Sequence, residues 1–87
     1  MPPLEVVWTD ALQDLEEAAA QWPARAAEVY RTVESMAALG WSLGHPTDEP
    51  GLLYWAVPPF GVLYRVRGRR LYVRQIIDTR TVGEPFW

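Results

Sequence analysis

This sequence has no cysteine, no lysine and a single histidine, His45. The lack of cysteine excludes a disulfide framework, a thiolate nucleophile and a thiolate metal site. One histidine cannot build a histidine-rich metal centre, so neither a metal nor a cofactor is expected. No apolar run approaches the roughly 20 residues of a membrane-spanning helix. The opening residues Met1-Pro2-Pro3-Leu4-Glu5 show no basic leader, and the expectation is a cytoplasmic protein without a membrane partner. Because lysine is missing, all eight basic residues are arginine. Arginine keeps its charge and matches carboxylate or phosphate with a planar fork, but it is a poor proton acceptor.

What the chain does have is apolar bulk: 49% of its 87 residues are hydrophobic, 13% are aromatic and five are tryptophan. That is enough for a folded unit with one modest core, and a single domain over residues 1–87 is expected. The net charge of −3 conceals a division. Residues 1–59 set Arg25 and Arg31 against nine carboxylates, a balance of −7, whereas from Phe60 onward six arginines face only Asp78 and Glu84, a balance of +4. Such polarity either steers an anionic partner to one end or lets two parts of one fold attract each other.

Leu4 to Trp8 has the β-branched and aromatic character of a short strand, and Thr9-Asp10 reads as a helix N-cap after it. Ala11, Leu12, Leu15, Ala18, Ala19 and Trp22 then recur at helical spacing, with Asp14, Glu16 and Glu17 largely on other faces. Pro23 ends this helix and opens a second one, running to about Leu39. Its inward residues are Ala26, Val29, Tyr30, Val33 and Ala37, and Gly40 supplies the stop. The glycines and prolines between residues 40 and 51 argue for an ordered loop. Three strand-like runs follow: Leu52 to Val57, Val62 to Arg67 and Arg70 to Asp78, the last two joined by Gly68-Arg69 as a two-residue hairpin turn. No internal repeat or linker divides the chain.

A two-residue turn fixes cross-strand partners. Arg67 should face Arg70, Val66 face Leu71, Arg65 face Tyr72, Tyr64 face Val73 and Leu63 face Arg74. Val62, Tyr64, Val66, Leu71, Val73 and Ile77 then form the side packed on the helices, and Leu63, Arg65, Arg67, Arg70, Tyr72 and Arg74 form the open side. Several arginines side by side repel one another unless an anion is near, so this face is expected to bind an acidic protein segment or nucleic acid, the alternative being a solvated surface partly paired to Asp78, Glu84 or the acidic helices.

In order and spacing these elements resemble the bacterial RelE/ParE toxins over about residues 4–80. The residues that carry the likeness are Trp8-Thr9, Ala11 with Asp14-Leu15, Pro23, Leu43-Gly44-His45-Pro46, Val62-Leu63-Tyr64-Arg65-Val66 and Ile76-Ile77-Asp78-Thr79-Arg80. The resemblance implies an α+β fold, a curved antiparallel sheet with a helical hairpin on one face. It also implies the toxin of a type II toxin–antitoxin module that inhibits growth and is held silent by an antitoxin. Two activities occur in that family: cleavage of messenger RNA on the ribosome (mRNA interferase) in the RelE-like branch, and interference with DNA gyrase in the ParE-like branch. A catalytically inactive interaction module on the same fold is the alternative, and whether the chain is an enzyme stays open at this point.

Metal-free RNA cleavage needs an activated 2′-hydroxyl, a stabilised phosphorane and a protonated leaving oxygen. Arg80, carried over from the resemblance, together with Arg65 and Arg74 would stabilise charge in such a reaction. Arg67, Arg70, Tyr72, Leu63 and Trp87 complete a surface for nucleic acid or antitoxin. Several family features are missing. Gly61 stands where the RelE-like branch usually has an arginine, the basic residues ahead of that strand have no counterpart in Leu52 to Phe60, and Phe86 or Trp87 replaces a C-terminal tyrosine. His45, Tyr64, Tyr72 or a carboxylate are the remaining acid–base candidates. Of these, Tyr64 is expected in the core, and Asp48 and Glu49 are read as solvated loop charges.

Overall fold

Pro23 has no amide hydrogen to give a preceding turn but fits the first turn of a new helix, and it divides the helical segment accordingly. The computed structural model describes residues 3–40 and 44–79. In it α1 spans Ala11–Gln21 and α2 spans Pro23–Leu39, with Trp22 extended between them (φ −147°, ψ 78°). The sheet is made of β1 (Glu5–Trp8), β2 (His45–Pro46), β3 (Leu53–Val57), β4 (Phe60–Arg67) and β5 (Arg70–Asp78). The expected order of strand, helix, helix and three strands is present. One short strand is added, because His45 and Pro46 pair with Tyr54 and Leu53 inside a segment expected to be loop throughout.

The strands lie in the order β1-β5-β4-β3-β2. From β2 to β5 the neighbours are antiparallel, as expected for strands joined by short turns. The edge strand β1 departs from an all-antiparallel sheet: it runs parallel to β5, with Glu5 beside Arg70 and Trp8 beside Val73. Two helices separate β1 from the rest of the sheet, which is the long crossover a parallel pairing requires.

Both helices pack on one face of the sheet. The core joins Ala11 and Ala18 of α1, Val29, Val33 and Met36 of α2, and Val62, Tyr64, Leu71, Val73 and Ile76 of the sheet. Each large apolar side chain so buried contributes on the order of 1.5–3 kcal/mol. The expected helical stripes were too wide. In α1 the Ala11–Leu15–Ala18 line meets the sheet, while Leu12, Ala19 and Trp22 are exposed, since they lie further round the helix. In α2 the exposed Tyr30 stacks on Trp8 with ring centroids 5.7 Å apart, and Met36 fills the core instead. Asp10 occupies the N-cap position without a side-chain capping bond. The Thr9 hydroxyl is also directed away from the helix, donating to the Val73 carbonyl at 2.7 Å.

The β4–β5 hairpin carries the arginines. Gly68 takes φ 57° at its turn, a conformation that costs other residues roughly 1–2 kcal/mol. Arg67 faces Arg70, Val66 faces Leu71, Arg65 faces Tyr72 and Tyr64 faces Val73, as the turn dictates. The register then slips between Leu63 and Tyr64, so that Leu63 faces Gln75 and not Arg74. A β-bulge inserts one residue and shifts the alternation of every side chain beyond it. Ile76, opposite Val62, therefore takes the core place expected for Ile77, and Ile77 lies opposite Gly61.

Candidate anion-binding groove

The sheet face away from the helices holds Arg65 and Tyr72 as one cross-strand pair and Arg67 and Arg70 as the next. Arg74 has no partner on β4 because it sits in the bulge. With Thr9 at the end of β1, the side chains of Arg65, Arg67, Tyr72 and Arg74 line a groove of about 600 Å³. The hydrogen bond from Thr9 to Val73 fixes the groove's wall next to β5. Three of the arginines singled out from the sequence are thus brought together with the one tyrosine expected beside them.

The residues between β2 and β3 fold back over this face. Their backbone is pinned: the Leu52 amide donates to the Glu49 carbonyl at 3.1 Å and the Thr47 amide donates to the Leu52 carbonyl at 3.1 Å. The Glu49 amide donates to the Thr47 hydroxyl at 3.1 Å. This turn aims the Glu49 carboxylate between two guanidiniums. Arg65 Nη2 and Arg74 Nη1 both donate to its Oε2, the latter at 2.7 Å. Arg65 also donates from Nη1 to the Pro50 carbonyl at 2.9 Å. Side-chain exposures of 25% for Arg65, 47% for Glu49 and 54% for Arg74 place the cluster in contact with solvent. Each ion pair is then worth only about 0.2–1 kcal/mol. Glu49, read from the sequence as a solvated loop charge, and Thr9, read as part of a helix N-cap, are groove residues that reading missed; for Thr9 no local signal distinguishes the two roles. The signal available for Glu49 was an acidic pair, Asp48-Glu49, just before a strand of the same sheet, but nothing local shows which way such a loop turns.

Arg70 stands apart from this cluster. Its Nε lies 3.5 Å from Glu5 Oε2 on the neighbouring strand. Hydrogen bonding with Tyr72, and then the Glu5 charge, hold its pKa above the ordinary arginine value, so it is a fixed cation. For Arg67 no ion pair is found among the described residues, so of the three arginines that line the groove it is the one most open to an incoming anion. Leu63 is on the same face but only 8% exposed, beneath the surface that was assigned to it. Arg80, Phe86 and Trp87 lie outside the described residues.

The acid–base candidates Tyr64 and His45 are held elsewhere. Tyr64 is fully buried in the core. His45 stacks on Trp55 with ring centroids 6.2 Å apart and does not line the groove. At Gly61, where the RelE-like pattern has an arginine, the Tyr54 ring covers the backbone so closely that a Cβ would overlap it. Tyr54 was not singled out from the sequence, yet it takes the space that the missing side chain would fill.

The chain thus combines a four-stranded antiparallel meander, a parallel edge strand and a helical hairpin on one face with an arginine groove on the opposite face. Five chains of solved structures match it. Among them is a chain described as "Chromosomal ParDE TA system from P. aeruginosa", at 18% sequence identity and a TM-score of 0.62, with 86% of this chain and 95% of that one covered. At that identity the likeness is one of fold. Compared with protein-family models the chain matches none, and no curated protein matches it either.

Proposed function

We propose that this protein is the toxin of a type II toxin–antitoxin pair and that it acts in the ParE-like manner, by gripping an acidic protein surface rather than by cutting RNA. The observation that carries this reading is the Glu49 carboxylate seated between Arg65 and Arg74: the groove already holds the kind of group that an acidic partner would present. Guanidinium forks bind carboxylates through charge-assisted hydrogen bonds, and the +4 balance of the segment from Phe60 onward would steer such a partner to this face. Likeness in fold to a chain of a ParDE system supports the same choice. So does the chemistry of the groove: His45 and Tyr64 do not line it, and the acid–base groups there are Tyr72 and a Glu49 carboxylate engaged by two arginines. A cognate antitoxin would silence the protein by covering this face.

RNA cleavage is the second reading, resting on Tyr72 set among three arginines, with Arg80 as the further charge-stabilising residue that the resemblance supplies. Induced expression in bacteria without an antitoxin separates the possibilities. The expected outcome is growth arrest with DNA damage and intact messenger RNA, abolished by the Arg65→Ala/Arg74→Ala double variant. Arrest with cleaved messages would replace this reading by the nuclease, and unimpaired growth by an inert interaction module. Arrest undiminished in the double variant would remove the groove from the mechanism.

A further inference from the structure

The geometry points to Glu49 as a tethered competitor: we propose that its carboxylate fills the seat of a partner's carboxylate, and that an acidic ligand enters the groove by displacing it. This rests on the proposal above that the arginine face binds an acidic partner, and adds how that site is regulated.

The two guanidiniums come from different strands, and their meeting is arranged by the fold. Arg65 is held opposite Tyr72, whereas Arg74 reaches the same point only because the bulge frees it from a β4 partner. Both then converge on one oxygen of Glu49. Arg65 is further tied to the Pro50 carbonyl, so it is fixed with or without the Glu49 side chain. Glu49 itself is anchored through its backbone, by Leu52 and by the Thr47 hydroxyl, and none of these bonds involves its carboxylate. The carboxylate is about half exposed. Rotating that one side chain into solvent therefore empties the seat, while the turn that carries it and at least one of the two arginines stay in place. Arg67 and Tyr72, in the same groove, are left to take the next groups of a ligand.

A competitor held in place raises the concentration of free ligand needed for binding, because the measured affinity is reduced by the fraction of molecules with a vacant seat. The cost is set by two partly exposed ion pairs, and its removal should tighten binding about tenfold.

The test measures calorimetric binding of a hexaglutamate peptide to the whole protein at low ionic strength. Glu49→Gln is compared with the native chain and with Glu16→Gln, which removes the same charge from the exposed side of α1. The expected result is binding about tenfold tighter for Glu49→Gln, no such gain for Glu16→Gln, and loss of the gain in Glu49→Gln/Arg65→Ala/Arg74→Ala. Equal affinity of the native and Glu49→Gln proteins would overturn the proposal, as would a gain that survives without the two arginines or is matched by Glu16→Gln. If affinity is equal but falls when Arg65 and Arg74 are removed, only the competitor role of Glu49 fails. Binding that ignores those arginines in every variant, or that is absent from all of them, sinks the acidic-partner reading of the face as well. An oligoribonucleotide run in parallel that gains more than the peptide from Glu49→Gln would overturn the carboxylate assignment in favour of phosphate.

Discussion

Gly61 and Tyr54 show how one residue's absence becomes another's opportunity. An alanine in mid-strand normally improves on glycine, by about 0.5–1 kcal/mol. Here the Tyr54 ring lies where the new methyl would go. Gly61→Ala is expected to cost about 1–3 kcal/mol in chemical denaturation and much less when Tyr54 is also alanine. An equal cost in both backgrounds would show that the ring is not the obstacle. Individual residues were legible where their partners are near in sequence: Arg65 faces Tyr72 and Arg67 faces Arg70 because Gly68-Arg69 permits little else. They were illegible where the partner arrives through a loop or across strands. Glu49 meets Arg74 from 25 positions away, and no rule of spacing links them.

Among the elements, β5 departs furthest from its sequence pattern. Alternation from the turn places Leu71, Val73 and then Ile77 inward, yet the bulge at Arg74 brings Ile76 to the core. Both adjacent isoleucines are apolar, so the sequence carries no mark of the slip. The structure supplies the physical reason in the edge that β1 leaves uncovered beyond Val73. There the Ile76 amide donates to the Asp14 carboxylate at 3.1 Å, so α1 satisfies a backbone group that no strand reaches. Asp14→Ala is expected to cost about 1–3 kcal/mol and to speed hydrogen exchange at the Ile76 amide, whereas Asp14→Asn, which keeps an acceptor, should retain most of the protection. Unchanged exchange at Ile76 in Asp14→Ala would show that the contact does not hold the bulge. The helices were easier to read, since Pro23 and Gly40 mark their junction and end. Their apolar stripes were overdrawn because alanine and leucine suit either face of a helix.

For the molecule as a whole, sequence sufficed for a helical layer on one face of a sheet and arginines on the other. That division follows from strand alternation and from the segregation of carboxylates before Phe60. A small core concentrates its stability in few side chains. Leu71, fully buried between sheet and helices, should cost about 2–5 kcal/mol on replacement by alanine, a large part of the 5–15 kcal/mol typical of whole domains. Thermal unfolding of Leu71→Ala measures this, and a loss below 1 kcal/mol would contradict the packing. The parallel union of β1 with β5 reaches furthest in its effects, because it joins Trp8 to Val73 across nearly the full described chain. Translation delivers the amino-terminal end first, so β1 and both helices are synthesised before the strand that will receive them exists. The groove draws Thr9 from the earliest of these segments and Arg74 from the latest. The groove is therefore incomplete on the nascent chain until β5 has been synthesised.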